Sequence, residues 1–248
     1  MRKVRIGIDV GGTFTDAVAL DGENFRIIGQ AKVPTTHQAA DGVAEGIVQV
    51  LTKLLQEQNI APEEVMFIAH GTTQATNALL EGDVAKVAVL ALGSGLLTDA
   101  IAKQSKLAPL ELAPGKYLTM QHAYFDLQEK DILLKIENTL QQFKAQGAAV
   151  VVITEAFGVD HGDNEDLVAA LAGKLGLLAT TGHEVSRLYG LQTRTRTAVV
   201  NGSLIPKMLE TARMTQSCVE KAGIAAPLMI MRCDGGVMTA KDMETRPI

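Results

Sequence analysis

The sequence predicts an α/β protein built on a mixed β-sheet. Three strand patterns follow one another at the N-terminus, and helical and strand patterns then alternate to the end of the chain. Over 248 residues, 47% are hydrophobic and 21% charged, a balance that supports a packed core rather than a disordered chain.

Taken in order, Val4 to Val10 alternates with a β-branched bias and runs into the tight turn Asp9-Val10-Gly11-Gly12-Thr13. Thr15 to Leu20 and Phe25 to Lys32 read as two further strands joined by Asp21-Gly22-Glu23-Asn24, and Pro34-Thr35-Thr36 closes the meander. From Gln38 to Gln56, Val43, Ile47, Val50, Leu51, Leu54 and Leu55 fall on one face at helical spacing. Val65 to Ala69 is a short buried strand leading into His70-Gly71-Thr72-Thr73, with a helix from Gln74 to Leu80. Val84 to Leu92 is a strand, Gly93-Ser94-Gly95 a strand-to-helix turn, and an irregular stretch containing Pro109, Pro114 and Gly115 follows. The remaining pattern is helix Lys130 to Gln146, strand Ala148 to Thr154, helix Glu165 to Leu175 and strand Gly182 to Ser186. A long helical region from Thr197 to Ala222, bent near Pro206, precedes strand Leu228 to Met231 and Cys233-Asp234-Gly235-Gly236. No repeat or low-complexity segment interrupts this order. The domain boundary is expected between residues 93 and 94, giving regions 1–93 and 94–248.

Charge excludes several function classes. With 23 basic and 28 acidic residues the net charge is −5, so no basic excess exists to coat a nucleic acid or an anionic membrane. Aromatics are 4% and Trp is absent, which argues against base-stacking platforms. Cys218 and Cys233 cannot build a disulfide framework and suit a reducing compartment. The basic start Met1-Arg2-Lys3-Val4 is followed too soon by Asp9 and a glycine pair for a signal peptide. No apolar run reaches the ~20 residues of a membrane helix, so a cytoplasmic protein is expected.

The chemistry concentrates in Asp9-Val10-Gly11-Gly12-Thr13-Phe14-Thr15-Asp16. Adjacent glycines permit a tight turn and bring backbone N–H groups near a phosphate, Thr13 and Thr15 add hydroxyls, and Asp9 at a strand end can hold Mg²⁺ through water. The structural alternative is a glycine hairpin with Asp9 as a polar cap. A Walker loop is excluded by the missing Gly-Lys-Ser/Thr, and a dinucleotide fingerprint by the glycine spacing and by the strand that follows. In His70-Gly71-Thr72-Thr73, the hydroxyls of Thr72 and Thr73 can meet phosphate or substrate, and His70 can donate to a carbonyl or shuttle a proton. Equally, a threonine here caps the next helix and His70 is a satisfied strand-end histidine. Asn77, one turn on, carries the same two readings.

The segment Ile8 to Asp16 resembles the opening motif of the hydantoinase/5-oxoprolinase family, which includes hydantoin utilization protein A and the acetone carboxylase β-subunit. Ala69-His70-Gly71-Thr72-Thr73-Gln74-Ala75-Thr76-Asn77-Ala78-Leu79-Leu80-Glu81 resembles its second hallmark almost position for position. Arg194-Thr195-Arg196-Thr197-Ala198-Val199-Val200-Asn201 and Pro227 to Arg232 are similar to later segments, so the matches run from the first strand to the last. The resemblance implies an actin-like ATPase fold of the sugar kinase/Hsp70/actin superfamily, ribonuclease H-like, with an incomplete second half. It also implies ATP and Mg²⁺ as cofactors and a cyclic amide such as hydantoin or 5-oxoproline as substrate. Carried over, Asp9 positions Mg²⁺; Gly11, Gly12, Thr13, Thr15 and Asp16 form the nucleotide site; His70, Thr72 and Thr73 join Asp9 in catalysis. Asn77, Arg194, Arg196, Asp234, Gly235 and Gly236 are the substrate-side candidates.

Other features are weaker. The family shows a Ser-Asn-Gly-Gly type sequence where this chain has Cys233-Asp234-Gly235-Gly236, and Cys233 reads as an inert buried thiol. Asp160, His161, Asp163, Glu165 and Asp166 form an acidic cluster that serves a helix dipole or, as the minor reading, a metal. Arg187, Arg194 and Arg196 either bind an anion or form a solvated basic helix start. No zinc-ligand spacing exists. Only one phosphate turn is present where the fold uses two, so the expected protein is a fragment or split subunit, inactive without a remaining C-terminal half or partner and open to oligomerisation. The alternatives are a non-catalytic nucleotide-binding or regulatory module and a sugar- or acetate-kinase-like phosphotransferase.

Overall fold

The strands are built from two kinds of sequence, and each kind folds into its own sheet. The computed structural model describes residues 2–36, 43–232, 235–239 and 242. The first residues of the expected helix at 38, together with Cys233 and Asp234, lie outside them. Contacts divide the chain into two units, residues 1–75 with 209–243 and residues 76–208. This division falls at different points from the expected 93/94 boundary.

In the first unit, β1 (Val4–Val10), β2 (Phe14–Asp21) and β3 (Ile27–Pro34) form the antiparallel meander. β4 (Val65–Thr72) pairs parallel to β1, β11 (Leu228–Met231) parallel to β4, and β12 (Val237–Thr239) antiparallel to β11. The result is a six-stranded mixed sheet in the order β12-β11-β4-β1-β2-β3. Alternation in β1 turns Val4, Ile6, Ile8 and Val10 inward and leaves Arg5, Gly7 and Asp9 on the other face. Helix α1 (Val43–Glu57) packs on β2 and β3, with Ile47, Val50, Leu51 and Leu54 fully buried at the predicted spacing. Cys218 donates to the Ala44 carbonyl at 3.3 Å, tying the C-terminal half of α7 (Leu191–Lys221) to α1.

In the second unit, β5 (Val87–Gly93), β8 (Met120–Asp126), β9 (Val150–Glu155) and β10 (Leu178–Thr181) form an all-parallel sheet in the order β10-β9-β5-β8. β5 is buried at every residue, as a parallel strand covered on both faces must be. Leu90, Leu92, Val151 and Ile153 meet Ile136, Leu140 and Phe143 of α4 (Ile132–Ala145) and Val168 and Ala172 of α5 (Asp163–Lys174). Val87, Val89 and Val152 meet Ala198 and Val199 of α7. Helix α2 (Gln74–Glu81) crosses the 75/76 division, and α3 (Thr98–Ser105) follows the Gly93-Ser94-Gly95 turn.

Three sequence expectations change. The irregular stretch around Pro109 holds β6 (Leu110–Ala113) and β7 (Lys116–Leu118), joined by Pro114-Gly115 with Gly115 at φ 73° as a type II turn requires. The expected strand Gly182 to Ser186 is instead the single turn α6 (Gly182–Val185), and the strand lies one element earlier at β10. The cause is Glu165, which accepts from the His183 N–H at 2.9 Å and bends the chain there. Pro206 lies inside α7, which runs on through it from residue 191 to 221. Among the described residues, no helix is long and apolar enough to cross a membrane.

Candidate functional site

The antiparallel register of β1 and β2 pairs Asp9 with Asp16 and Val10 with Thr15, so the motif closes as a hairpin turn at the ends of two interior strands of the first sheet. Neither Gly11 nor Gly12 adopts a positive φ, so the turn does not depend on left-handed backbone. The glycines matter for space. A Cβ on Gly11 would stand 3.2 Å from the Phe14 carbonyl, whereas one on Gly12 would meet nothing within 4 Å. The protein's own packing therefore gives no reason for Gly12, which faces outward beside the exposed Thr13. The Gly11 N–H is spent inside the turn on the Phe14 carbonyl at 3.0 Å.

Thr15 departs from the expected phosphate contact. Its side chain is 0% exposed, and its hydroxyl lies 3.2 Å from that of Thr35. It supports the turn from the core side.

On the opposite face a cleft of about 630 Å³ opens over the sheet, with Gly7, Val18, Ala69, Gly71 and Met231 as its floor and Asp9, Asp16, Lys32 and Lys53 among its polar lining. That volume falls within the usual range for small-molecule sites. Register places Asp9 beside Gly71 of β4, and a Cβ on Gly71 would sit 3.8 Å from Asp9 Oδ1 and from Met231 Sδ. Among the described residues no hydrogen bond or ion pair involves the Asp9 carboxylate, which is exposed. Asp16, across the strand pair, is bridged to Lys32 at 3.2 Å, and the Lys32 ammonium lies 4.7 Å from the Phe14 ring centroid. Two carboxylates opposite each other repel. Lys32 offsets Asp16, which leaves Asp9 as the carboxylate open to a cation.

The second hallmark divides across the sheet. His70 pairs in register with Ile8 and Ile230 and shares their core face, away from Asp9. It is 1% exposed, neither ring nitrogen has a hydrogen-bond partner among the described residues, and burial pulls its pKa down to about 4. The imidazole is neutral at physiological pH and does not face the cleft. Thr73 is exposed just before α2; Thr72 ends β4, and its side chain, like Asp234, lies outside the described residues. Gly235 and Gly236 belong to the turn between β11 and β12, where Gly235 has φ 83° and Arg232 N–H donates to the Gly236 carbonyl at 2.8 Å.

Asn77 and Arg196 are exposed residues of the second unit. Arg194, expected to face substrate, is 0% exposed, with its guanidinium donating to the carbonyls of Leu188 at 2.7 Å, Tyr189 at 3.2 Å and Glu155. It braces loops rather than offering a free cation. The acidic cluster resolves similarly: buried Glu165 accepts from Glu155 N–H at 2.7 Å and from His183 Nδ1 at 2.8 Å, while Asp163 and Asp166 stand in the first turn of α5. Burial raises the Glu155 pKa, only partly offset by the Asn164 amide. Among the described residues no group of three or more His, Cys, Asp or Glu is placed to hold a metal.

Sequence reasoning missed Thr35, Lys32 and Lys53. Thr35 was legible in principle, because a meander that pairs Phe14 with Pro34 puts residue 35 opposite Thr13.

The fold and the hairpin turn define the chain's class, the actin-like ATPase fold. The hydantoinase/oxoprolinase N-terminal region model matches residues 5–176, and the hydantoinase/oxoprolinase model matches residues 194–248. The chain belongs to the hydantoinase/oxoprolinase family. It is 27% identical to the caprolactamase α-subunit of Pseudomonas jessenii over 269 aligned positions, covering all of this chain and 38% of that one. The crystal structure of that organism's ATP-dependent caprolactamase superposes with a TM-score of 0.67 at 24% identity, covering 95% of this chain and 36% of that one. The nucleotide-free structure of acetone carboxylase, an enzyme of ATP-dependent acetone carboxylation, superposes at 0.70 with 17% identity, covering 98% and 38%. The 5-oxoprolinase of Dictyostelium discoideum is 26% identical over 150 positions, covering 58% of this chain and 12% of that one. The chain thus spans well under half the length of these relatives.

Proposed function

We propose that this chain supplies the phosphate-handling part of an enzyme that uses ATP to activate and open a cyclic amide. An unstrained amide is a poor electrophile; phosphorylating its oxygen creates a leaving group, and that is the chemistry ATP provides when bound. The observation that carries the reading is the Asp9–Asp16 turn, whose outer rim is open at Gly12 and whose Asp9 carboxylate has no partner among the described residues.

The residues fit the group. Gly12 leaves room for a phosphate to approach the backbone, and exposed Thr13 brings a hydroxyl beside it. Asp9 is the residue to hold Mg²⁺, through water where direct coordination is not met. With Lys32 paired to Asp16, Lys53 is the cleft's cation for an anionic ligand, making no ion pair among the described residues. Thr15 and Gly11 serve the turn from inside. The whole reaction draws on the remaining polypeptide or a partner subunit, in keeping with the 38% of the caprolactamase α-subunit that this chain covers.

The test is Asp9→Ala in the full-length protein, assayed with Mg·ATP against hydantoin, 5-oxoproline and caprolactam. Loss of a cation-holding carboxylate is expected to lower ATP-dependent opening by about 10²-fold or more with circular dichroism unchanged. Wild-type turnover in the variant would remove the role given to Asp9.

A further inference from the structure

The strand-end residue Thr35 makes three recorded contacts with the turn, although it lies 20 residues or more beyond it in sequence. Its backbone N–H donates to the Thr13 carbonyl at 2.9 Å. Its hydroxyl donates to the Gly11 carbonyl at 2.8 Å. That proton being committed, the Thr15 hydroxyl at 3.2 Å is the donor to Thr35 Oγ1. A half-buried chain of two hydroxyls therefore runs from Thr15 through Thr35 to Gly11.

The consequence is directional. The Gly11 and Thr13 carbonyls point to Thr35, and across a trans peptide the N–H of the following residue points the opposite way, which turns the N–H groups of Gly12 and Phe14 away from Thr35. A backbone that turns its carbonyls inward turns neighbouring N–H groups outward, which is the arrangement an anion needs. The next residue extends the brace, since Thr36 Oγ1 accepts from the Gly46 N–H of α1 at 2.9 Å. Pro34-Thr35-Thr36 thus couples the turn to the helix beneath the sheet.

We propose that Thr35 is the positioning residue of the phosphate turn, its hydroxyl fixing Gly11 and its backbone N–H fixing Thr13 in the orientation that receives the β- and γ-phosphates of ATP. The assignment rests on the phosphate-binding reading of that turn.

Three variants of the full-length protein test it by ATP titration in the presence of Mg²⁺. Thr35→Val keeps the volume and the N–H bond to Thr13 and removes the hydroxyl with its two bonds, to Gly11 and from Thr15; their loss is expected to weaken ATP affinity about tenfold. Thr35→Ser keeps the hydroxyl and is expected to bind within about twofold of wild type. Thr15→Val removes the buried donor to Thr35 alone and is expected to weaken binding about threefold, which keeps the test open if Thr35→Val does not fold. Wild-type affinity in Thr35→Val, or an equal loss in Thr35→Ser, overturns the positioning role. A wild-type protein that binds no ATP overturns instead the phosphate reading on which it rests.

Discussion

His70 has no hydrogen-bond partner at either ring nitrogen among the described residues. Placed on β4 between Ile8 and Ile230, it is shut from water, and desolvation alone holds its pKa near 4, well below the ordinary 6.5. Because the folded pKa lies below the unfolded one, the unfolded chain binds the proton first as pH falls. Its contribution to stability is therefore whole above pH 6.5 and lost progressively between 6.5 and 4. A shift of that size corresponds to roughly 3 kcal/mol across the window. His70→Leu is expected to flatten this part of the urea-midpoint profile against pH relative to wild type; parallel profiles for the two proteins would show that His70 is not the sensing group. At this scale the sequence was informative where a residue's type names its chemistry. Asp9 beside two glycines is read as a cation holder from its type, and among the described residues its carboxylate has no partner. Which face His70 occupies could not be read, because side-chain direction in a strand depends on register with β1 and β11, strands 60 residues before it and 160 after.

At the scale of elements, the ends of β9 and β10 are held by two buried charges rather than by apolar packing. Arg194 closes the loop after α6 onto the end of β9 through the carbonyls of Leu188, Tyr189 and Glu155, and Glu165 ties α5 to β9 and α6. Burial lowers the Arg194 pKa, while Glu165 and Glu155 pull it back up, so the cation persists. Removing it leaves carbonyls unsatisfied and carboxylates uncompensated. Arg194→Met is accordingly expected to lower unfolding free energy by about 3 kcal/mol or more, read as a drop in urea midpoint. A loss under about 1 kcal/mol would return Arg194 to the surface role its sequence suggested. The same elements show why sequence reading succeeds unevenly. Helix α1 carries its apolar stripe in its own residues, so Ile47, Val50, Leu51 and Leu54 announced it. Strand β10 is four residues long, and its end is decided by Glu165, a contact 18 residues away that no local pattern contains.

For the molecule as a whole, the sequence separates two environments. The buried runs of β5 and of β9 from Val150 to Thr154 belong to a parallel sheet clothed on both faces, whereas the alternation of β1 belongs to a sheet with one covered face and one bearing the cleft. The mixed-sheet class and the family were legible because motif and alternation lie within short windows. The return of β11 and β12 to the first sheet was not, since it joins residues 160 apart. That return matters for binding, because Met231 of β11 closes the cleft floor beside Asp9 and Gly71. The first unit thus holds the turn, the carboxylate and the cleft within residues 1–75 and 209–243, and ligand binding by this chain should be measurable as stabilisation. With free ATP at ten times its dissociation constant and no affinity for the unfolded chain, linkage gives RT ln 11, about 1.4 kcal/mol. For a chain of this size that raises the melting temperature by about 3–6 °C. Differential scanning fluorimetry of the 248-residue chain with Mg·ATP is expected to give such a shift at millimolar nucleotide. Asp9→Ala should abolish it and Arg196→Ala, an exposed residue of the other unit, should leave it intact. An equal shift in wild type and Asp9→Ala would place the nucleotide away from the turn, and no shift in wild type would mean that this chain alone does not hold ATP.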